Sequence, residues 1–254
     1  MQFVTDVGRY FGEHCTAKLT AQYTPGQNKL MSLVQYQFED GVAILRIDDG
    51  KRNALAPEVL DEIYAAFDRA EADRAIVIVT GREDVFSAGF DLKVMQRGGT
   101  RAIGMLHRGY GLPARVLNYP YPVIVACNGH SLAMGVFLML AADHAIGIHG
   151  DFVVGMNESA IGMVLPLYAT TLGMARLAPA GRKAIATGEL FSPQRGLEVG
   201  YFDRVVEAGE LDATVEAVIA HMKSLNAGAF DGNKKIINAQ LIADVEAAPL
   251  PDFG

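Results

Sequence analysis

Two turns decide the fold of this chain: Phe86-Ser-Ala-Gly-Phe-Asp-Leu-Lys93, the first turn, and Asn128-Gly-His-Ser-Leu-Ala-Met-Gly135, the second turn. Each follows an apolar run typical of a buried strand, residues 75–80 and residues 122–127, and each leads into a helical pattern. Backbone N–H groups at the start of a helix have no intrahelical acceptor and lie at the positive end of the helix dipole. Two such turns directed at one point would hold an oxyanion with main-chain donors alone.

Strand and helix patterns alternate around these turns. Residues 34–38 and 42–47 alternate apolar and polar side chains around Glu39-Asp40-Gly41, which predicts a β-hairpin. Residues 57–72 carry apolar side chains at helical spacing behind an early proline, which predicts a helix. The same patterns predict helices over 100–117 and 134–142 and strands over 145–148 and 152–154. This order of strand-then-helix units predicts a layered α/β core with parallel strands.

Three regions are expected along the chain. Residues 1–30 are punctuated by Gln, Thr and Gly without a sustained period, so we expect either a leader from an upstream start or an arm that packs on a neighbouring subunit. Residues 31–210 form the expected core. Residues 211–254 form an expected helical C-terminal region, with a hinge at residues 228–232 before the last helix.

Composition limits the class of protein. Half of the 254 residues are hydrophobic and 20% are charged, which suits one large globular core. The net charge of −7 argues against nucleic acid or an anionic membrane as a partner. Two cysteines give no disulfide framework, and no apolar run approaches the roughly 20 residues of a membrane span. Without a secretory signal pattern, a cytoplasmic protein is the default expectation.

The residues of the two turns resemble the crotonase (enoyl-CoA hydratase/isomerase) superfamily. The first turn resembles its first oxyanion-loop motif, and Ala126-Cys-Asn-Gly followed by Gly135 resembles the second. Asn53-Ala-Leu55, after a basic pair, is similar to the family's short motif near the CoA adenine, and residues 193–206 are similar to its segment leading to the next strand. The resemblance covers about residues 33–206. It implies a crotonase-like α/β fold of stacked ββα units with a helical C-terminal region.

The resemblance also implies the oxyanion donors and the substrate class. The donors would be the backbone N–H groups of Phe90 and Met134, with Gly89 permitting close backbone approach. The substrate would be an acyl-CoA thioester, so CoA enters as part of the substrate and no separate cofactor is expected. No histidine pair has zinc-ligand spacing, so no metal is expected either. The adenine end of CoA is expected near these residues: Lys51, Arg52, Ala88, Leu92 and Lys93.

Carboxylates decide which reaction such a site runs. Hydratases of the family use two glutamates, and the first of these positions is occupied here by Phe137, which cannot transfer a proton. The second matches Glu158 in Glu158-Ser-Ala-Ile-Gly162, with Asn157 as a rival alignment. A single carboxylate resembles the isomerase members, in which one Glu carries a proton between C2 and C4. An apolar setting would raise the pKa of Glu158 and suit it to that task. Asp91 is expected to hydrogen-bond within its turn.

The resemblance further implies an apolar acyl pocket and an oligomer. The helix after the first turn is expected to line the pocket, and its apolar character is suggested by Met105, Leu106, Phe137 and Met163. Family members form trimers or pairs of trimers, in which C-terminal helices cover an active site. We therefore expect a homo-oligomer whose interface uses the residues from Asn226 onward.

Three other functions remain open from the sequence: an enoyl-CoA hydratase, a catalytically silent acyl-CoA-binding protein and an α/β-hydrolase. Gly129-His-Ser-Leu-Ala133 after a buried strand resembles a nucleophile elbow with Ser131 as the nucleophile, although the elbow pattern ends in glycine. Asp203 or Asp212 would supply the acid. The one histidine further along the chain is His221, which lies in a helical pattern that is a poor place for a triad base.

Overall fold

The computed structural model describes residues 32–247, so the expected leader or arm over residues 1–30 and the last seven residues lie outside the described part. The strands are β1 Val34–Glu39, β2 Val42–Ile47, β3 Ala54–Leu55, β4 Ile76–Thr80, β5 Asp84–Ser87, β6 Gly89–Phe90, β7 Val123–Cys127, β8 Gly129–Leu132, β9 His144–Ile148, β10 Val154–Gly155 and β11 Arg204–Val206. The α-helices are α1 Pro57–Ala72, α2 Leu92–Arg97, α3 Gly99–Leu117, α4 Met134–Ala141, α5 Leu167–Arg176, α6 Pro179–Arg182, α7 Ala184–Thr187, α8 Pro193–Val199, α9 Leu211–Ser224 and α10 Ala227–Ala247.

A six-stranded sheet with the order β1-β2-β4-β7-β9-β11 is the centre of the fold. β1 and β2 form the predicted antiparallel hairpin, with Val34 opposite Ile47, and the other neighbours are parallel. Every residue of β4 and β7 is buried, because a parallel sheet is covered on both faces. This explains why these two strands are continuous apolar runs and not alternating ones.

A smaller parallel sheet has the order β10-β8-β5, and its strands β5 and β8 follow the central strands β4 and β7 of the main sheet. β5 follows β4 and β8 follows β7, so the two crossings leave the main sheet at neighbouring places. β5 and β8 then pair with each other, with Asp84 opposite Gly129 and Ser87 opposite Ser131. This pairing places the first and second turns side by side.

Helices cover both faces of the main sheet, which confirms the predicted layered α/β core. The larger apolar cluster joins one face to buried side chains of α1, α3, α4, α5 and α10. On the other face α9 contributes Leu211, Val215 and Val218, which pack with Ile78 and Ile124 of the sheet. Within residues 32–247, no helix combines the length and apolar content needed to cross a lipid bilayer.

The last helix, α10, lies on its own chain against α3 and α5. Arg176 of α5 donates a hydrogen bond to Asn238 at 2.7 Å, and Lys234 is paired with Asp143 at 2.6 Å. The expected hinge at residues 228–232 is wrong, because these residues lie inside α10. The break falls instead just before α10, where the Asn226 side chain accepts a hydrogen bond from the Ala229 N–H. This cap and the packing of α10 offset the helix-breaking tendency of the glycines.

Candidate active site

The two turns are in van der Waals contact through their glycines. A Cβ placed on Gly89 would lie 2.7 Å from the Ala133 Cβ and 3.3 Å from the backbone nitrogen of Met134. A Cβ on Gly135 would lie 2.8 Å from the Ser87 Cβ. Gly89 also has a φ of 84°, a backbone conformation that residues with a Cβ rarely adopt. The backbones of the two turns therefore approach so closely that a side chain at either glycine would clash with the other turn.

Asn53 fixes the strand that leads into the first turn. Its buried amide nitrogen donates to the carbonyl oxygens of Ile47 at 2.7 Å, Phe86 at 3.1 Å and Val85 at 3.2 Å. In return the hydroxyl of Ser87 donates to the Asn53 carbonyl at 2.8 Å. The motif that resembles the family's adenine-proximal segment thus has a structural task in this chain, which is to hold the first turn in place.

Asp91 caps the helix that follows the first turn. Its carboxylate accepts hydrogen bonds from the backbone N–H groups of Lys93 at 2.8 Å and Val94 at 3.2 Å. These are two of the donors that the start of α2 leaves without an intrahelical acceptor. The expectation that Asp91 bonds within its turn is confirmed.

The second turn starts α4 in a similar way. Ala133 has a φ of 50°, a strained value for a residue with a Cβ, and the next residue, Met134, is the first of α4. The first N–H groups of a helix have no intrahelical acceptor, so the Met134 N–H is available to a ligand at the positive end of the helix dipole. Every residue of α4 is buried, and the second turn is therefore supported on a rigid apolar element.

A pocket opens where the two turns meet. It is lined by Ala88, Phe90, Leu92, Met95, Leu132, Ala133, Asn157, Glu158, Ile161 and Met163. Eight of these ten side chains are apolar, and Glu158 is the one ionisable group among them. The lining therefore suits an apolar substrate that meets a single carboxylate.

Glu158 begins a 3-10 turn, Glu158–Ile161, and is 5% exposed. Its burial raises the pKa of the carboxyl group to about 7, and a backbone N–H opposes part of this rise. Among the described residues, its Oε2 atom has no hydrogen-bond partner. A carboxyl group with a pKa near neutrality exchanges protons readily, as a general base and acid must.

Aromatic side chains form a wall behind the pocket. The ring of Phe90 packs edge-on against Tyr110, with 5.8 Å between ring centroids. Tyr110 is tilted against Tyr168 at a centroid distance of 4.6 Å, and Tyr168 packs edge-on against Phe137 at 5.6 Å. The Tyr168 hydroxyl donates to the sulfur of Met134 at 3.5 Å. Phe137 is 2% exposed within this wall and packs on the ring of Tyr168, so an apolar ring that cannot transfer a proton fills this position.

The structure brings several of the predicted site residues together. Ala88, Phe90, Leu92 and Glu158 line the pocket, and Gly89 joins them to the backbone of Met134. Asp91 and Phe137 support the site from outside the lining. The predicted cations, Lys51, Arg52 and Lys93, are exposed on the surface. The Ala88 N–H donates to the Arg52 carbonyl at 3.1 Å, which links the basic pair to the first turn.

The residues expected at the acyl pocket lie in two different settings. Met163 and the helix after the first turn, through Met95, do line the pocket. Met105, Leu106 and Phe137 do not, because they are almost fully buried in the interior. Sequence reasoning missed Tyr110, Tyr168 and Tyr201, which all interact with Glu158. Tyr110 and Tyr201 lie more than forty residues from Glu158 along the chain and Tyr168 lies ten residues after it, and no local pattern marks any of them.

The hydrolase arrangement is not supported. Ser131 lies fully buried inside β8 and not on an exposed turn, and it is absent from the pocket lining. The nearby His130 accepts a hydrogen bond from the Val153 N–H through Nδ1 at 3.1 Å. His221 is exposed on α9, on the far face of the main sheet. The nucleophile and the base of a triad are therefore not brought together.

The chain matches the enoyl-CoA hydratase/isomerase family model over residues 37–250, and it belongs to this family. It is 29% identical to rat mitochondrial enoyl-CoA delta isomerase 1 over 198 residues, 74% of this chain and 67% of that protein. It is 28% identical to a probable enoyl-CoA hydratase of Bacillus subtilis over 176 residues, 67% of each. The chain thus spans about two thirds of the length of these relatives.

Solved structures of the family share the fold. An enoyl-CoA hydratase/isomerase family protein from Pseudomonas syringae has a TM-score of 0.83 at 40% identity, over 85% of this chain and 94% of that one. Human mitochondrial delta3-delta2-enoyl-CoA isomerase has a TM-score of 0.79 at 26% identity, over 84% and 89%. These similarities confirm the predicted crotonase-like α/β fold.

Proposed function

We propose that this protein is an acyl-CoA-processing enzyme that shifts a carbon–carbon double bond in an enoyl-CoA thioester. Glu158 carries the proton, and the backbone N–H groups of Phe90 and Met134 hold the thioester oxygen. The observation that carries this proposal is that Glu158 is the single ionisable side chain of the pocket where the two turns meet. The relatives include both isomerases and hydratases, so the choice between these reactions rests on the site.

The proton transfer follows from this arrangement. The Glu158 carboxylate removes a proton from C2 of a β,γ-enoyl thioester, and the electron pair of that C–H bond moves toward the thioester carbonyl. The dienolate oxygen that forms is stabilised by the two backbone donors, which are fixed before the reaction and need no reorganisation. The Glu158 carboxyl group then returns the proton to C4, and the double bond ends between C2 and C3.

Hydration is the second candidate reaction, because hydratases are among the relatives. It requires a water that is held and activated between two acid–base groups. Phe137 stands at the first of the two carboxylate positions, is buried, and packs on the ring of Tyr168. Asn157 is the remaining polar side chain of the lining, and an amide does not act as a base. Isomerisation is therefore favoured.

The CoA part of the substrate is proposed to bind near the first turn. Lys51, Arg52 and Lys93 are exposed cations in or close to this turn, while Ala88 and Leu92 are part of the pocket lining. Most contacts to CoA in this binding mode would be made by backbone groups of the protein, so Lys51→Ala should weaken acyl-CoA binding only modestly. Calorimetric titration with an acyl-CoA measures this, and no binding at millimolar ligand would remove the premise.

A homo-oligomer, a trimer or a pair of trimers, is proposed as the working form. Ile236 and Ile237 of α10 are 77% and 74% exposed, which leaves an apolar surface on the region expected to form the interface. Light scattering at micromolar concentration tests this. A stable monomer would contradict it.

The reaction is tested by giving the protein a β,γ-enoyl-CoA and the matching α,β-enoyl-CoA in separate incubations in deuterated water. The expected result is faster isomerisation of the first than water addition to the second. Glu158→Gln should lose most of the isomerisation, while the exposed Glu189→Gln should keep it. Efficient formation of a 3-hydroxyacyl product would establish the hydratase. Binding without turnover of either substrate would establish a silent acyl-CoA-binding protein.

A further inference from the structure

Two buried oxygen atoms near the reaction centre have no hydrogen-bond partner among the described residues. One is Oε2 of Glu158 and the other is the hydroxyl oxygen of Tyr201. The two residues are 5% and 1% exposed. Buried polar atoms are nearly always hydrogen-bonded, so each of these atoms requires an explanation.

Tyr201 is connected to the segment that carries Glu158 through Phe191 and Val154. It follows α8, and its N–H donates to the Gly196 carbonyl at 2.8 Å. Its ring is tilted on Phe191 at 6.0 Å, and Phe191 exchanges two backbone hydrogen bonds with Val154, of 2.9 and 3.0 Å. Val154 starts β10, which leads directly to Glu158. The backbone N–H of Met156, two residues before Glu158, lies against the Tyr201 oxygen but outside hydrogen-bond geometry, and Tyr201 interacts electrostatically with the Glu158 carboxylate.

We propose that Tyr201 is a positioning residue for Glu158, whose buried Oε2 receives a hydrogen bond from the Tyr201 hydroxyl through one bridging water. This inference rests on the proposed function, because it assigns Tyr201 to the proton transfer that Glu158 performs. The hydrogen bond holds the carboxylate in one rotamer and leaves the other oxygen for the C2 proton of the substrate. A second consequence is that the charged form of Glu158 is favoured over what burial alone would allow.

Two further phenols face Glu158. Tyr110 comes from α3 and Tyr168 from α5, and both interact electrostatically with the carboxylate. The hydroxyl of Tyr168 already donates to the sulfur of Met134, and Tyr110 is only partly buried. α7 packs against the Glu158 turn and carries no titratable side chain. Tyr201 is therefore the fully buried hydroxyl left to serve Glu158, and burial raises the pKa of its hydroxyl, so it remains a donor at neutral pH.

The variant Tyr201→Phe tests this, because it keeps the ring on Phe191 and removes the hydroxyl alone. Carboxyl titration by nuclear magnetic resonance, with carbon-13-labelled glutamate and Glu158→Gln to assign the signal, should show the pKa of Glu158 raised by about one unit. The isomerisation rate should then fall roughly tenfold at about pH 6 and stay within about twofold at about pH 9. The matched control is Tyr119→Phe, a buried tyrosine whose hydroxyl donates to the Ala75 carbonyl at 2.9 Å.

Each result decides the matter. Tyr119→Phe should leave the titration of Glu158 unchanged, whatever its effect on stability. An equal shift in both variants would overturn the proposal. Unchanged titration of Glu158 in Tyr201→Phe would also overturn it. The titration uses ligand-free protein, so it decides the role of Tyr201 even if the wild type isomerises no substrate. In that case the proposed function fails and the hydrogen bond stands.

Discussion

Gly89 lies directly against the backbone nitrogen of Met134: a methyl group at its Cα would come within 3.3 Å of that nitrogen. This contact joins the two turns that the proposed chemistry requires to act together. The proposed donors, the N–H groups of Phe90 and Met134, belong to different supersecondary units, and their relative position depends on how closely the two backbones approach. The proposed site therefore requires a residue without a side chain at position 89.

Gly89→Val should lower turnover by roughly two to three orders of magnitude, the scale on which one oxyanion donor acts. Valine at a φ of 84° is strained, and its Cβ would meet the Ala133 Cβ at 2.7 Å. Steady-state kinetics measures the loss, and circular dichroism shows whether the variant is folded. Gly104→Ala is the control, because Gly104 lies in α3 with no atom within 4 Å of its added Cβ. Near-native turnover in folded Gly89→Val would mean that the first turn holds no donor.

Glu158 should reduce stability as the pH rises. Burial raises the pKa of its carboxyl group from 4.5 to about 7, so between these values the folded protein binds more protons than the unfolded chain. The free energy of unfolding contributed by this group therefore falls through that window. The free energy of unfolding of Glu158→Gln relative to wild type should therefore increase by about 2–3 kcal/mol from about pH 4.5 to about pH 8. Urea unfolding at both pH values measures this, and a gain that does not depend on pH would contradict it.

Lys234 should be important for the stability of α10. Its ammonium group is 2.6 Å from Asp143, with the two side chains 3% and 15% exposed. Lys234→Met leaves a buried carboxylate without its partner, which should cost about 3–5 kcal/mol. Lys235→Met is the matched control, because Lys235 pairs with Asp231 near the surface and should change stability by less than about 1 kcal/mol. Equal melting temperatures of the two variants would show that the buried pair does not hold α10.

Asp91 should contribute to stability and not to proton transfer. Asp91→Ala removes the cap of α2 and should cost about 1 kcal/mol, while Asp91→Asn retains an acceptor and should cost less. Thermal unfolding measures both. A loss of turnover in Asp91→Asn as large as that in Glu158→Gln would instead give this carboxylate a chemical role.

Local patterns predicted the elements around the site closely. The helix expected over residues 57–72 is α1, Pro57–Ala72, and the alternation around Asp40 gives β1 and β2. The two turns were visible in the sequence because glycine and a preceding strand are local features. Asp91 was also predictable, since a helix cap acts on residues two or three positions away.

Features that depend on distant parts of the chain were not predictable. Tyr201 follows Glu158 by more than forty residues, and the pairing of Phe191 with Val154 connects the segments that carry them. The burial of Met105 and Leu106 depends on which face of α3 turns to the interior. The continuity of α10 through Gly228 depends on its packing against α3 and α5, which outweighs local helix propensity.

The central claim, that Glu158 carries the proton from C2 to C4, is tested most directly with a β,γ-enoyl-CoA deuterated at C2 in ordinary water. Because the carboxyl group is 5% exposed, the account predicts deuterium at C4 of the α,β-enoyl product, seen by mass spectrometry and nuclear magnetic resonance. Glu158→Gln should lose most of the conversion and show no deuterium transfer to C4. Conversion at the wild-type rate in Glu158→Gln, or a 3-hydroxyacyl-CoA as the main product of the wild type, would contradict the account.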